Sequence, residues 1–426
     1  MLKLLKDKLA ALSCDGWELT DKKEQRWEFY FIGHRLDQNR AVTTSETEVR
    51  VYKKSDDGAF LGSASDVIPP TASEEELDDT LKKLLFQASL VRNPVYTLAD
   101  VPVTVPELNE AVDVSAIAGD CIRAIAAVPE NDETRINSYE IFVSSIKRYT
   151  ENSNGVSYTC TYPSTQIEVV VNARKADHEI ELHRIYDSGT CDKDRLTRDI
   201  MQVMTFGKDR LEAKPTPAIG SGDVLLSTAD AVGVYEYFSD KMHADYVVRK
   251  LSDFKLGQSV SEDMKGDRVT VRAAASLSNS SMNYPVDTEG NVIEERYLVR
   301  NGIAENYCGS RQFSQYLGLE KSSKVTNLIV SGGSRTEDEI RSCDYLEVVE
   351  FSDFQVDSMS GDIAGEIRLG YLHHDGKTQI VTGGSVSGNM NDAVRDMQFS
   401  KETIQYNNWV IPKVTLLKGL RITGIN

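Results

Sequence analysis

The stretch Asp177–Arg184, DHEIELHR, places His178, Glu179 and His183 within six residues. Two imidazoles and a carboxylate so close have the composition of a zinc-peptidase centre. Such a centre needs its ligands to converge on one ion at about 2.0–2.2 Å, with a carboxylate aimed at the bound water. Strand or helix decides whether they can. On a strand, residues an odd number apart point to opposite faces, so His178 and His183 diverge. On a regular helix a step of five residues turns about 140°, which also separates them. His178, Ile180 and Leu182 alternate with Glu179, Glu181 and His183, and the run lies between the polar turn RKAD and Gly189. Period two means a strand. Its outward face carries Glu179, Glu181 and His183, and the stretch is no zinc centre.

Outward from this strand the same grammar repeats. RWEFYFIGHR and TEVRVYKK alternate as strands, and SEEELDDTLKKLLFQASLV follows as a helix. Ser73 and Glu76 form its capping box, Leu77, Leu81, Leu84, Leu85 and Ala88 its buried stripe, and Pro94 lies just past its end. After a short helix in VSAIAGDCIRAIAAV come the strands SYEIFVSSIKRYT, VSYTCTYPSTQIEVVVNA and HEIELHRIYDSG. The helix DKDRLTRDIMQVMTFGKDRLEA closes the set, with Leu196, Ile200, Val203 and Met204 on one face. A connector, Lys214 to Asp223, has the composition of a domain boundary. One helix over about Ala229 to Leu251 then precedes a strand-rich region, with hairpin turns at Asn301-Gly302 and Asp375-Gly376. The expectation is an α+β fold in two domains: an amino-terminal meander-plus-helix α/β domain, 1–214, and a strand-rich carboxy-terminal domain, 215–426.

The totals narrow the partners. With 66 acidic against 48 basic residues the net charge is −18, which repels phosphate backbones and anionic lipid. Neither nucleic acid nor membrane is expected, and no stretch of about 18 apolar residues occurs. The amino-terminal MLKLLKDKLAALSC is not a secretory signal; Leu2, Leu5, Leu9 and Leu12 make one helical face that caps a core. The six cysteines (Cys14, Cys121, Cys160, Cys191, Cys308, Cys343) have no metal spacing and suit reduced thiols in the cytoplasm.

Several ordered segments carry a family resemblance. They are ENSNGV, DVLLSTADAVGVYEYF, LGQSV, YPVDTEGNVIEERYLVRNG, SRQFSQYLGL, FQVDSMSGDIAGEI, DGKTQIVTGGSVSGN and IPKVTLLKGLRITG, spanning Glu151 to Gly424. In their order and spacing the chain resembles the TldD/PmbA family, known both as gyrase modulators and as peptide-maturation proteases. In that family the TldD-type subunit carries zinc on an HExxxH helix with a distant cysteine. The PmbA- or TldE-type subunit has the same fold without the motif. Laid on this chain, the motif falls on ADAVGV, so the positions matching it are Ala229, Asp230 and Val234. The resemblance then implies a PmbA-type protein with no catalytic residues, metal or cofactor of its own. It would pair with a TldD-like metallopeptidase subunit, or with itself as a homodimer, in proteolysis of unfolded peptides. Two other readings stand beside it: a stand-alone hydrolase built on Asp230 or another site, and a protein-binding modulator of DNA gyrase.

Remaining candidates reduce to structural roles. Cys343, the nearest match to the family's cysteine, reads as a half-buried thiol, and His243 as a lone surface or capping residue. His373 and His374 are adjacent on a strand and point oppositely. The glycine-rich VSGGSRTEDEI (Val330 to Ile340), with Arg335 as its one basic residue, reads as a mobile loop, which the resemblance places near a substrate cleft. No P-loop, dinucleotide fingerprint or nucleophile elbow occurs.

Overall fold

Period-two sequence becomes long antiparallel strands. The computed structural model describes residues 1–100, 103–319 and 323–425. Helix α1 (Leu2–Ala11) precedes a meander of β1 (Gly16–Ile32), β2 (Arg35–Lys54) and β3 (Leu61–Ile68), then α2 (Glu74–Leu90). Next come β4 (Leu108–Asn109), α3 (Val114–Ala126), a second meander of β5 (Thr134–Asn152), β6 (Ser157–Lys175) and β7 (His178–Ser188), and α4 (Lys193–Glu212). The two meanders merge into one seven-stranded sheet, ordered β3-β2-β1-β5-β6, with β4 and β7 both bonded to the outer edge of β6. The join is the antiparallel β1–β5 ladder from Glu18↔Asn152 to Ile32↔Ser138.

Helices cover this sheet in two pairs. Leu5 and Leu9 of α1 pack with Leu77, Leu81 and Leu84 of α2 over Leu19, Val49 and Val51, so α1 caps a core. The α2 capping box forms as its sequence predicts, Glu76 N donating to Ser73 Oγ at 3.2 Å and Ser73 N to Glu76 Oε2 at 2.7 Å. Gly62 lets β3 approach the last turn of α2; a Cβ there would sit 1.9 Å from the Ala88 carbonyl oxygen. The second pair, α3 and α4, buries Cys121, Ile125, Leu196, Ile200 and Val203 against Ile141, Val169 and Leu182.

The carboxy-terminal half begins with β8 (Lys214–Pro215), β9 (Gly220–Leu226), α5 (Ala231–Lys241) and α6 (Ala244–Val248). There follow β10 (Val271–Ala274), β11 (Arg296–Arg300), β12 (Ile303–Ala304), α7 (Arg311–Tyr316), β13 (Asn327–Val330) and α8 (Glu337–Ile340). The chain ends with β14 (Tyr345–Val356), β15 (Asp362–His374), β16 (Lys377–Thr382), β17 (Ser385–Asn389), α9 (Met390–Asp396), β18 (Gln398–Phe399), β19 (Thr403–Tyr406), β20 (Trp409–Pro412) and β21 (Thr415–Thr423). One sheet runs β12-β11-β10-β13-β20-β19. In the other, β14-β9-β21-β17-β15 closes on itself because β15 also pairs β14. The architecture is α+β. Both hairpin turns form where expected, with positive φ at Asn301 (49°) and Gly302 (74°) and at Asp375 (51°) and Gly376 (70°).

Three details depart from the sequence reading. The connector at Lys214 to Asp223 is not a free linker, since β8 pairs β16 and β9 starts at Gly220. The helix expected over 229–251 breaks at His243, whose backbone is extended (φ −71°, ψ 130°). A parallel bridge with Cys308 captures the chain there, Cys308 N donating to Met242 O at 3.0 Å and Ala244 N to Cys308 O at 2.8 Å. The glycine-rich segment after β13 is packed: Cβ atoms on Gly332 and Gly333 would fall 2.2 Å from Lys401 O and 2.0 Å from Phe399 O. Its Arg335 is held by Gln398 at 2.7 Å, and Thr336 caps α8.

Candidate functional site

The strand that opened the sequence reading also builds the site. On β7 the inward residues are Ile180, Leu182, Arg184 and Tyr186, and the outward ones Glu179, Glu181, His183 and Ile185. Ile180 and Leu182 meet the α3–α4 core. Beyond them the inward face opens into a cleft of about 910 Å³ between the amino-terminal sheet and the carboxy-terminal half. Arg184 to Ser188 and α4 form one wall; Ser227 to Ala229, Glu236, the α8–β14 region and the β19–β20 hairpin form the other. Among the described residues β7 bonds only to β6, and β19 only to β20. Consecutive residues of each strand, Arg184 to Ser188 and Ile404 to Tyr406, line the space, which is how a strand presents an edge rather than a face.

The charges in the walls are paired. Arg341 grips Glu347 with both terminal nitrogens (2.7 and 2.9 Å) and reaches Glu337 through Nε at 2.9 Å. Ser227 Oγ donates to Glu347 at 2.6 Å, and Lys413 lies 2.6 Å from Glu337. Arg184 is ion-paired with the buried Glu350. Arg195 sits 3.4 Å from Asp199 and over the Tyr406 ring. Burial raises the carboxyls of Asp199 and Asp230, against the pull of Arg195 on the first and of Thr228 and Arg184 on the second. Burial also raises Glu236 and pushes the Tyr406 phenol up to about 12. No histidine lines the cleft among the described residues. The chemistry on offer is hydrogen bonding from the Tyr186 hydroxyl, buried without a partner, beside the backbone edges of β7 and β19, with no base–nucleophile pair among the described lining residues.

The structure disperses the other sequence candidates. His178 is exposed at the start of β7, and His183 faces outward, 3.2 Å from Glu168. They do not converge. Ala229 lines the cleft and Asp230 lies beside Arg184, while Val234 is fully buried in the carboxy-terminal core. Cys343 is an exposed thiol in the turn before β14, beside Asp223 and Lys418 and outside the cleft. His243 is half-buried rather than alone: the Cys308 sulfur beside it, with Asp245 and Asp240, pushes its imidazole up to about 9 against the cost of burial. His373 meets Thr378, and His374 lies 2.7 Å from Asp344. Asp344, His374 and Asp375 are the one described group close enough to share an ion, and all three are exposed, Asp344 just before β14 and the other two at the β15–β16 turn. What sequence reading missed was Arg184 and Tyr186. The signal was there, since a charged residue falls on the apolar parity of an alternating strand.

The fold and this strand-edged cleft define a class, α+β proteins with a groove between an amino-terminal sheet and a carboxy-terminal β assembly. Residues 219–424 match the PmbA/TldA metallopeptidase C-terminal domain. The carboxy-terminal half of the chain is thus a TldD/PmbA-family domain. The fold of the chain is shared by a Thermotoga maritima protein titled as a candidate modulator of a DNA gyrase (TM-score 0.79, 16% identity, 99% of this chain and 100% of that one). It is shared too by TldE from Thermococcus kodakarensis (0.78, 15%, 100% of both). A Bacteroides thetaiotaomicron protein, also titled as a candidate gyrase modulator, is similar over 100% of this chain and 99% of its own (0.78, 17%). No curated protein sequence matches significantly. A zinc ion, implied by the metallopeptidase name, does not fit the residues at the motif positions: Ala229 and Val234 carry no donor atom, and Val234 is turned into the core.

Proposed function

We propose that this chain is a PmbA-type, non-catalytic member of its family that holds extended, unfolded peptide for a zinc-bearing TldD-like partner. The observation that carries the reading is the cleft edged by the free sides of β7 and β19, with no histidine among its described lining residues. A free strand edge binds any extended main chain through backbone hydrogen bonds, whatever its side chains. A folded substrate has no such main chain to offer. The metal, its ligands and the general base then come from the partner, with a second copy of this chain as the alternative assembly. The TldE likeness supports the first arrangement. The net charge of −18 speaks against DNA as the ligand, and the free thiols fit a cytoplasmic site of action. On this reading residues 1–214 supply the β7 wall and 215–426 the opposite one.

The test uses the purified chain alone and co-expressed with a TldD-like protein from the same organism. Alone it should hold no stoichiometric zinc, leave unfolded peptides intact and bind them. Together, a complex of defined mass should cleave them. Zinc with turnover in the single chain overturns the proposal. Failure of the single chain to bind any unfolded peptide removes its peptide-holding half.

A further inference from the structure

Cys121 and Cys191 come from different elements, yet both pack into the α3–α4 core, close enough that each thiol shifts the other's proton affinity. Cys121 lies on the core-facing side of α3 and is fully buried. Cys191 lies between β7 and α4, half-buried, where it lines the cleft. Two further contacts clamp the pair. Next to Cys121, Asp120 Oδ1 lies 3.3 Å from Nζ of Lys193, two residues past Cys191. Further along both helices, Thr197 Oγ1 donates to the Ala124 carbonyl at 2.8 Å. The start of α4 is therefore pinned to α3 just past Cys191, which holds the two cysteine-bearing segments together.

We propose that Cys121 and Cys191 are a reversible dithiol–disulfide site opening on the cleft, oxidised by a peroxide or by a small-molecule disulfide. The roles divide by position. Cys191 is the attacking sulfur, since the cleft gives it access; the neighbouring Cys121 thiol also holds it below the ordinary thiol range. Cys121, fully buried and raised by the neighbouring Cys191 sulfur and by burial, resolves. With hydrogen peroxide, the Cys191 thiolate takes one oxygen, the O–O bond breaks, and hydroxide leaves; the product is a sulfenic acid. Sulfur of Cys121 then attacks sulfur of Cys191, the S–O bond breaks, and the Cys121 proton leaves in water with the displaced hydroxyl. With a small disulfide, Cys191 first forms the mixed disulfide, and Cys121 displaces the second thiolate. Either route removes two hydrogens from the protein and ties α3 to the entry of α4.

The reduced full chain, exposed to a slight excess of hydrogen peroxide or oxidised glutathione, should lose two thiols by denaturing alkylation. Peptide mapping should join the Cys121 and Cys191 peptides, and dithiothreitol should restore both thiols. Cys191→Ser should abolish the cross-link. Cys121→Ser should leave Cys191 as a dimedone-reactive sulfenic acid or a stable glutathione adduct, and Cys343→Ser should change nothing. Should the buried Cys121 variant fail to fold, the wild-type peptide map still decides. Oxidation of Cys191 to the sulfinic acid with Cys121 still alkylatable, or oxidation confined to Cys343, overturns the proposal.

Discussion

Glu18 offers the sharpest quantitative test of how the two halves meet. It lies on β1, where Tyr52 Oη donates to its Oε2 at 2.6 Å. Opposite it stands Glu289, on the β10–β11 loop of the carboxy-terminal half, across a cavity of about 100 Å³ that Arg50 and Lys324 also line. Burial, with Glu289 and Asp287 nearby, lifts the Glu18 carboxyl from 4.5 to about 7, despite Tyr52 and Arg50. A folded-state value raised above the unfolded one means the proton favours the native state. The stabilisation is complete below about 4.5 and is lost as pH rises through about 7. At 1.36 kcal/mol per unit, a shift of about 2.5 units sets a ceiling of roughly 3 kcal/mol at pH 8, which relaxation and solvent screening of the charged form lower towards ~1 kcal/mol.

Glu18→Gln keeps an acceptor for Tyr52 and removes the charge. In urea unfolding across the range pH 5 to 8, the variant should track the wild type at the acid end. Above neutrality it should be the more stable by about 1–3 kcal/mol, with a flatter pH dependence. Parallel pH profiles, or a variant weaker than wild type at pH 8, would refute this account of the carboxylate cluster.

Three further outcomes follow from named contacts. Gly62→Ala drives a Cβ into the Ala88 carbonyl and should cost about 1–3 kcal/mol, seen as an earlier urea midpoint with α2 losing amide protection first. Arg341→Ala strands Glu347, which is only 8% exposed, without its bidentate partner; the loss should approach 3–5 kcal/mol and shrink when Glu347→Gln is added. Ala229→His with Val234→His should restore the motif's histidines without restoring zinc, because Val234 faces the core. Metal analysis should stay below stoichiometric, and the chain should lose about 1–3 kcal/mol for a polar ring in that core.

Much of the fold was legible because its causes are local. The strand character of 178–188 follows from alternation alone, the turns at Asn301-Gly302 and Asp375-Gly376 from residues that tolerate positive φ, and the start of α2 from Ser73 and Glu76. The break at His243 was not legible, because its cause is Cys308, a residue remote in sequence whose backbone takes the hydrogen bonds a continuing helix would have used. The packed glycines at 332 and 333 were hidden for the same reason, since their neighbours Phe399 and Lys401 belong to another part of the chain. The cleft draws on β7, α4, the approach to α5, α8 and the β19–β20 hairpin, segments with no common periodicity. Only Arg184 signalled it, and two histidines just before it drew the eye.

The way charge is spent in the cleft bears on what can enter it. Arg184 is committed to Glu350, Arg195 to Asp199, Arg341 to Glu347 and Glu337, and Lys413 to Glu337. A phosphate or free carboxylate would have to displace an ion-paired carboxylate to reach any of these cations, at a cost of several kcal/mol where that carboxylate is the buried Glu350 or Glu347. An extended main chain displaces none of these pairs, since its groups can pair with the open edges of β7 and β19 and with the buried, unpartnered Tyr186 hydroxyl. Selection by such a site turns on whether the ligand's backbone is free, and little on which residues it carries. A scrambled-sequence peptide of equal composition should therefore bind within about threefold of its parent, while a backbone N-methylated version should lose most of its affinity, with each blocked bond worth about 1 kcal/mol. Titration by fluorescence anisotropy separates the cases: strong sequence preference with indifference to N-methylation would assign recognition to the side-chain pockets instead of the strand edges.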